Sequence, residues 1–390
     1  MIYFFILCII LFGVLYYDIT NHKYKEKTYF YFNILLLILI SGLSYRLGSD
    51  VINYMEEYET EIKTISSISY DYIFNSYDRQ CGWQLFLTLI KTISPSFTVL
   101  KIIHSYIINT VIGVFIYKYF KYKFVALLCY FFFLYIPFNF EVLRESLAVS
   151  CFLYATKYFL EKKYLKYYLF TGIAFSLHIS AFILFLFPLS KLFLNNKLKL
   201  YVILSVCLVS LLFISQTQQL FYYLIFIPSI ANKAFTYFSS ETHGASRFSI
   251  SNLINYIFNI VIPIILLAKA QNTDKRIYKF APQIIVYVII YCMSMHISIL
   301  FRFNNYFNIF YIFAYIEAFS SKLLLPRLSI GKRKAILVLA IMVFCFLKLN
   351  VLKLPINGIP GYYRYYPYSS IFDKKKEPIR EKLYFSLQSL

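Results

Sequence analysis

Long apolar runs alternate with short, lysine-bearing loops along the whole chain. Runs of that length predict membrane-crossing helices at about 2–17, 29–45, 96–118, 124–138, 141–160, 199–215, 252–269, 281–300, 303–320 and 335–351. A further apolar stretch, 165–193, lies between two lysine clusters, Lys162/Lys163/Lys166 and Lys191/Lys197/Lys199. One crossing there would carry a cluster through the membrane, against the tendency of lysine and arginine to stay on the cytoplasmic side. The stretch is therefore expected to be a hairpin of two short helices turning near Leu177-His178-Ile179-Ser180. The total becomes about twelve crossings with both termini outside. The basic clusters at 23–27, 118–123, 269–279 and 322–334 then fall inside. The tail 352–390 carries Lys374, Lys375, Lys376, Arg380 and Lys382, which favour the inside, yet parity puts it outside.

Composition agrees with a membrane protein. Sixty per cent of the 390 residues are hydrophobic and the mean hydropathy is +0.64. No segment between spans is long or patterned enough for a separate soluble core, so one all-α polytopic membrane domain over 1–390 is expected. Two outer segments stand out. In 46–95 the amphipathic piece 83–93 suits the membrane interface; in 216–250 the apolar piece 221–230 is too short to cross. The net charge of +21 does not point to nucleic acid, because most positive charges sit in the short loops that set orientation. The first run, 1–17, lacks an n-region charge and a small-residue cleavage site, so it is expected to stay as a span. Of the seven cysteines only Cys81 lies in a loop, leaving no loop-to-loop disulfide. Neither CxxC nor HExxH spacing occurs, and no metal or other cofactor is expected.

Six residues carry the candidate chemistry: Arg46, Asp50, Arg144, His178, His296 and Arg302. Each lies in or beside an apolar segment, where an ionisable group is costly, and the threading gathers all six at the outer face. Arg46 and Asp50 are followed by Tyr54 and Tyr58, so an aromatic belt with a snorkelling arginine is the competing reading. Arg144 begins an apolar helix after the turn Ile136-Pro137-Phe138-Asn139 and shares a face with Glu141. An ion pair there competes with anion binding, for which a planar guanidinium fork is well suited. His178 falls where helix ends expose backbone groups, tolerated only inside protein or beside water, and a packing histidine is the alternative. His296 and Arg302 flank a later turn followed by Asn304, Asn305 and Tyr306.

In order along the chain these residues resemble the motifs of the EpsG/Wzy-type polysaccharide polymerases. Tyr45-Arg46-Leu47-Gly48-Ser49-Asp50…Tyr54 is similar to their R-x-x-G-x-D-x-x-x-Y element, Arg144-Glu145-Ser146-Leu147-Ala148 to R-Q-x-x-A, and His178-Ile179-Ser180-Ala181 to H-x-S-A. Arg302-Phe303-Asn304-Asn305-Tyr306-Phe307 resembles a late R-x-x-x-Y-F, and Tyr366-Pro367-Tyr368 the P-Y after the last span. Two departures occur: Gln80 stands before Gly82 where a glutamate is usual, and Glu145 replaces a glutamine. The resemblance implies a GT-C-like glycosyltransferase that polymerises polyprenyl-diphosphate-linked oligosaccharide repeat units on the outer face of the bacterial cytoplasmic membrane. Under it, Arg46, Arg144, Arg302, His296 and Tyr306 would bind donor diphosphate or substrate. His178 and Asp50 are both candidate bases, and arginine rather than magnesium would stabilise the leaving diphosphate. Besides the lipid-linked oligosaccharide and membrane lipid, a chain-length regulator and a flippase are the partners implied. An O-antigen ligase and a membrane acyltransferase remain open as alternatives. So does a flippase or transporter, although transporters usually show two related halves and no internal repeat is visible here.

Overall fold

The computed structural model describes residues 2–74, 79–194, 196–210, 250–297, 300–321, 323, 328–351, 355–356 and 358–388. The expected interfacial piece 221–230 and most of the 216–250 loop lie outside the described residues. In chain order the helices are α1 (Ile2–Ile19), α2 (Glu26–Gly42), α3 (Ser49–Thr60), α4 (Tyr70–Phe74), α5 (Cys81–Ile93), α6 (Phe97–Tyr119), α7 (Lys123–Phe140), α8 (Leu143–Leu160) and α9 (Tyr164–Leu177). There follow α10 (Ile179–Phe193), α11 (Lys197–Ser210), α12 (Leu253–Thr273), α13 (Lys275–Lys279), α14 (Ala281–His296), α15 (Phe301–Asn304), α16 (Asn308–Ser320), α17 (Ile330–Val351) and α18 (Pro378–Gln388). The sheet content among the described residues is one antiparallel ribbon, β1 (Pro355–Ile356) with β2 (Ile359–Pro360). The protein is an all-α membrane protein. By length and composition α1, α6, α7 and α12 can cross a bilayer, and α5, α10 and α14 are shorter apolar helices.

The described parts of the expected spans are largely helical, with 211–215 and 298–299 outside the described residues and 303–320 interrupted at 305–307; a further boundary moves. The turn expected at 136–139 is absent: α7 runs through Pro137 to Phe140, and the break falls at Glu141 and Val142. Residues Phe131–Tyr135 form a π-helical segment whose wider turn tolerates the missing N–H and the ring of Pro137. The same device, Ile257–Val261, precedes Pro263 in α12.

The chain folds as two compact units, Met1–Ala181 with Ser329–Leu390, and Phe182–Leu328. The first unit has two chemically distinct ends. At one, Lys123 pairs with Glu26 (2.6 Å), and Lys334 donates to the carbonyls of Asp18 (2.7 Å) and Ile19 (2.9 Å) and to Asn21 Oδ1 (2.8 Å). Asp18 accepts the free N–H groups of Lys123 and Val125 at the start of α7, as an N-terminal carboxylate should. This end gathers lysines of two basic clusters, 118–123 and 322–334, with Glu26 from the 23–27 stretch. At the other end meet the loop after α2, the start of α3, the break between α7 and α8, and the C-terminal segment. Between the ends a buried polar network satisfies backbone groups freed by the break. Lys101 donates to the Asn139 carbonyl, His104 Nε2 meets the Leu143 carbonyl (3.0 Å), and Asn109 bridges Asn139 (2.9 Å) and Tyr130 (2.8 Å).

The second unit is held by aromatic packing. Phe280 lies against Phe310 (5.4 Å) and Phe313 (4.8 Å), and Tyr287 stacks on Tyr311 (4.5 Å). The Leu194 carbonyl, at the end of α10, accepts from Tyr278 (2.5 Å) and Gln271 (3.3 Å).

Candidate active site

The loop from Ser44 to Asp50 is the floor of the candidate site, and its shape is forced. Arg46 and Gly48 both take positive φ, 48° and 87°. A Cβ on Gly48 would lie 1.9 Å from the Phe140 carbonyl oxygen, so only glycine lets this loop press against the end of α7. The loop is pinned from outside by the C-terminal segment: Tyr45 N–H donates to Ser369 O (2.9 Å), Gly48 N–H to Arg364 O (2.9 Å), and Ile371 N–H to Leu43 O (3.0 Å). The tail therefore shares a side with the Arg46–Asp50 loop, where span parity had put it against its lysine content.

Arg46 is deeply engaged. Its Nε and Nη2 donate to the two oxygens of Glu381 at 2.7 and 2.6 Å, and Nη2 also reaches Glu56 at 3.4 Å. The Glu381 fork raises the pKa of a guanidinium that is only 8% exposed. Arg380 completes the clasp from the same helix by donating to the Tyr363 (3.2 Å), Arg46 (3.2 Å) and Pro367 carbonyls. Burial lowers its pKa.

Glu141 is the hub of this end. One carboxylate oxygen accepts Ser49 Oγ–H (3.0 Å) and Asp50 N–H (3.2 Å), capping α3; the other accepts Tyr365 O–H (2.8 Å) and faces Arg364 Nη1 (3.5 Å). Burial, then the nearby Glu141 carboxylate, pushes the Tyr365 pKa well up, so its phenol stays a donor. The ion pair of Glu141 with Arg144 considered from their spacing does not form. Glu141 sits in the helix break, off the face of α8, and its partners come from the loop and the tail.

Arg144, in the first turn of α8, is half-buried and donates through Nε to the Tyr54 hydroxyl (3.1 Å), with its guanidinium 5.7 Å from the Tyr54 ring centroid. Burial raises the Tyr54 pKa, and the Arg144 charge pulls it back. The Tyr54 ring meets Trp83 edge-on at 5.7 Å. The neighbouring Gly82 closes the gap to α9, since a Cβ there would fall 2.3 Å from Ser176 Oγ. Side chains of α8, α3 and α5 thus lead to the end of α9, where His178 leaves the helix with extended backbone (φ −153°, ψ 129°). His178 Nδ1 lies 2.5 Å from Ser180 Oγ and 3.3 Å from Ser180 N. Asp50 is exposed at the first turn of α3.

Arg46, Asp50, Arg144 and His178 thus belong to one end of the first unit. His296, Arg302 and Tyr306 belong to the second. There His296 is buried with Nε2 3.3 Å from Ser210 Oγ, Arg302 is exposed on α15, and Tyr306 is fully buried. Sequence reasoning missed Glu141 as a hub and Arg364, Arg380 and Glu381 as its surroundings. The available signal was an Arg-Glu pair in a tail otherwise marked by lysine, next to the tyrosine-rich stretch 362–368.

No curated protein and no solved structure matches this chain. The EpsG family model matches residues 27–370, from the start of α2 through the segment that pins the Arg46–Asp50 loop, and the chain belongs to the EpsG family.

Proposed function

We propose that the protein polymerises polyprenyl-diphosphate-linked oligosaccharide repeat units on the outer face of the bacterial cytoplasmic membrane, as a GT-C-like glycosyltransferase with about twelve crossings. Family membership supports polysaccharide polymerisation in general. The observation that carries the finer reading is the joining of the Arg144, Asp50 and His178 elements at one end of the first unit, opposite its lysine-rich end. In the reaction, the acceptor hydroxyl oxygen attacks the anomeric carbon of the donor chain. The bond from that carbon to the diphosphate oxygen breaks, and the acceptor proton passes to a protein base. Arg144 offers charge to the leaving diphosphate from a half-buried position where it counts for more than in water. Arg302, exposed on α15, is proposed as a phosphate ligand in its own right.

The base is assigned to His178 through its serine. The Ser180 N–H donates to Nδ1 (3.3 Å), so Nδ1, beside the Ser180 hydroxyl, carries the lone pair that can accept a proton and Nε2 carries the ring hydrogen. Asp50 is the alternative base, exposed at the first turn of α3. Arg46 is reassigned: with its fork held by Glu381 it anchors the tail rather than the diphosphate. We read His296 and Tyr306, both buried, as packing residues of the second unit.

The test is the glycan ladder of a deletion strain complemented at matched protein level. Arg144→Lys keeps the charge and loses the fork, so most polymer should vanish while single repeat units accumulate, as should also occur with His178→Ala. A full ladder from Arg144→Lys removes the diphosphate assignment, and a full ladder from His178→Gln moves the base to Asp50. A ligase would instead leave polymer intact on its lipid carrier and lose transfer to the final acceptor.

A further inference from the structure

We propose that Tyr362, Tyr363 and Tyr366 form a stacking subsite for sugar residues of the glycan chain beside the Arg46–Asp50 loop. The inference rests on the polymerase reading and names the part of that site that holds carbohydrate. The segment 362–368 carries five tyrosines, and they divide into two sets. Tyr365 and Tyr368 are tied to the body of the unit. Tyr365 donates to Glu141, and Tyr368 donates to the Ile40 carbonyl (2.9 Å) with its ring edge-on to Tyr3 (6.1 Å).

The other three rings gather together. Tyr362 stacks on Tyr363 with centroids 4.5 Å apart and planes 27° from parallel, and Tyr366 stands 6.4 Å from Tyr362 at 57°. Tyr366 is 51% exposed, and Tyr362 and Tyr363 are partly so. The phenol of Tyr362 faces that of Tyr363, which raises its pKa and keeps it protonated. Among the described residues, none of the three phenol oxygens makes a hydrogen bond to the rest of the chain, in contrast to the two inward tyrosines.

The backbone beneath the rings is fixed while the rings stay open. Gly48 N–H donates to Arg364 O, Arg364 itself faces Glu141, and Arg380 holds the Tyr363 and Pro367 carbonyls. A pre-formed platform of this kind loses little entropy on binding. Its chemistry fits a saccharide: pyranose rings offer a face of polarised C–H groups to the negative face of an aromatic ring, and equatorial hydroxyls to the phenols. A lipid-facing belt places rings at helix ends along the interface. These rings lie instead on a loop bonded to the segment that bears Asp50, the alternative base, so a glycan reaching that end of the unit passes beside them.

The experiment measures chain-length distribution at matched protein level in the complemented deletion strain. Tyr366→Ala should cut the longest chains by roughly three- to tenfold, Tyr362→Ala with Tyr366→Ala by more, and Tyr366→Trp should restore length. Polymerisation itself continues in these variants, so single repeat units stay below the Arg144→Lys level. An unchanged length distribution in both alanine variants, with Arg144→Lys still inactive, overturns the subsite and leaves the polymerase reading standing; those rings then face lipid. An intact polymer in Arg144→Lys as well removes both. As a direct readout, full-length protein in nanodiscs is probed by saturation-transfer NMR with oligosaccharides released from the strain's own surface polysaccharide. Transfer to sugar ring protons should fall at least about threefold in Tyr366→Ala, and equal transfer in wild type and variant counts against the subsite.

Discussion

The Arg46–Glu381 pair separates two roles for the first arginine of the family motif. As a diphosphate ligand, Arg46 would gain from losing Glu381, whose carboxylate competes for the same fork. As an anchor, Arg46 and Glu381 should be equally necessary. The pair is bidentate, at 2.6 and 2.7 Å, with side chains 8% and 16% exposed. Removing one partner of a buried pair costs about 3–5 kcal/mol. Glu56 at 3.4 Å, itself 48% exposed, recovers part of this, so about 2–3 kcal/mol is expected for Glu381→Ala. At about 1.4 kcal/mol per tenfold, the fraction of molecules with α18 undocked rises about 30- to 140-fold. Limited proteolysis of membrane vesicles, followed through a C-terminal epitope, reads that opening directly. Glu381→Ala and Arg46→Ala should both speed tail cleavage and both reduce polymer, while the exchange Arg46→Glu with Glu381→Arg should slow cleavage again and recover part of the polymer. A Glu381→Ala protein with unchanged cleavage and a full ladder, alongside an inactive Arg46→Lys, would refute the anchor and return Arg46 to the substrate.

Glu141→Gln should turn one of the two oxygens into a donor facing Ser49 and Asp50 N–H, at a cost of about 1–3 kcal/mol, and lower polymer yield at matched protein; Glu141→Gln with a wild-type ladder and melting temperature counts against the hub. Gly48→Ala should abolish folded protein in the membrane, since it combines a positive φ with a clash against Phe140 O, and normal abundance on a membrane blot would contradict the geometry. Ser180→Ala should leave abundance unchanged and lower the polymerisation rate by about tenfold, with a displaced acid limb in the pH–rate profile, because His178 Nδ1 loses the hydroxyl beside it and keeps only the backbone N–H; an unmoved profile removes the serine from the mechanism.

The helices were legible because an apolar run in lipid has to satisfy its own backbone, and four of them, α1, α6, α7 and α12, are long and apolar enough to cross a bilayer. The break before Arg144 was legible in kind but not in place. Pro137 looked like a turn, and only the π-helical register of Phe131–Tyr135 lets α7 carry it four residues past that start. Arg144 and His178 could be marked as candidates because each is an ionisable group at an apolar boundary. Glu141 was visible only as a possible partner for Arg144, since i,i+3 spacing assumes one continuous helix and this carboxylate lies in the gap between two. Glu381 was not readable at all. Its partner is 335 residues away, and the surrounding lysines gave the tail a topological meaning that hid its role in holding the loop.

The contacts of the first unit also constrain the segment inserted in it. The chain leaves that unit after Ala181, just past His178, at the end that holds Arg46, Glu141 and the tail. It returns just before Lys334, at the opposite end beside Asp18 and Lys123. The lysine-based threading expects an odd number of crossings between these two points, and the apolar stretches it marks there are five: the second arm of the hairpin, 199–215, 252–269, 281–300 and 303–320. One unbroken span over 165–193 would make that set even and bring the chain back at the wrong end for α17. Of that expectation the described residues contain the helix stop, since α9 ends at Leu177 and His178 is extended. A helix that stops within a membrane persists only where protein or water receives the freed backbone groups.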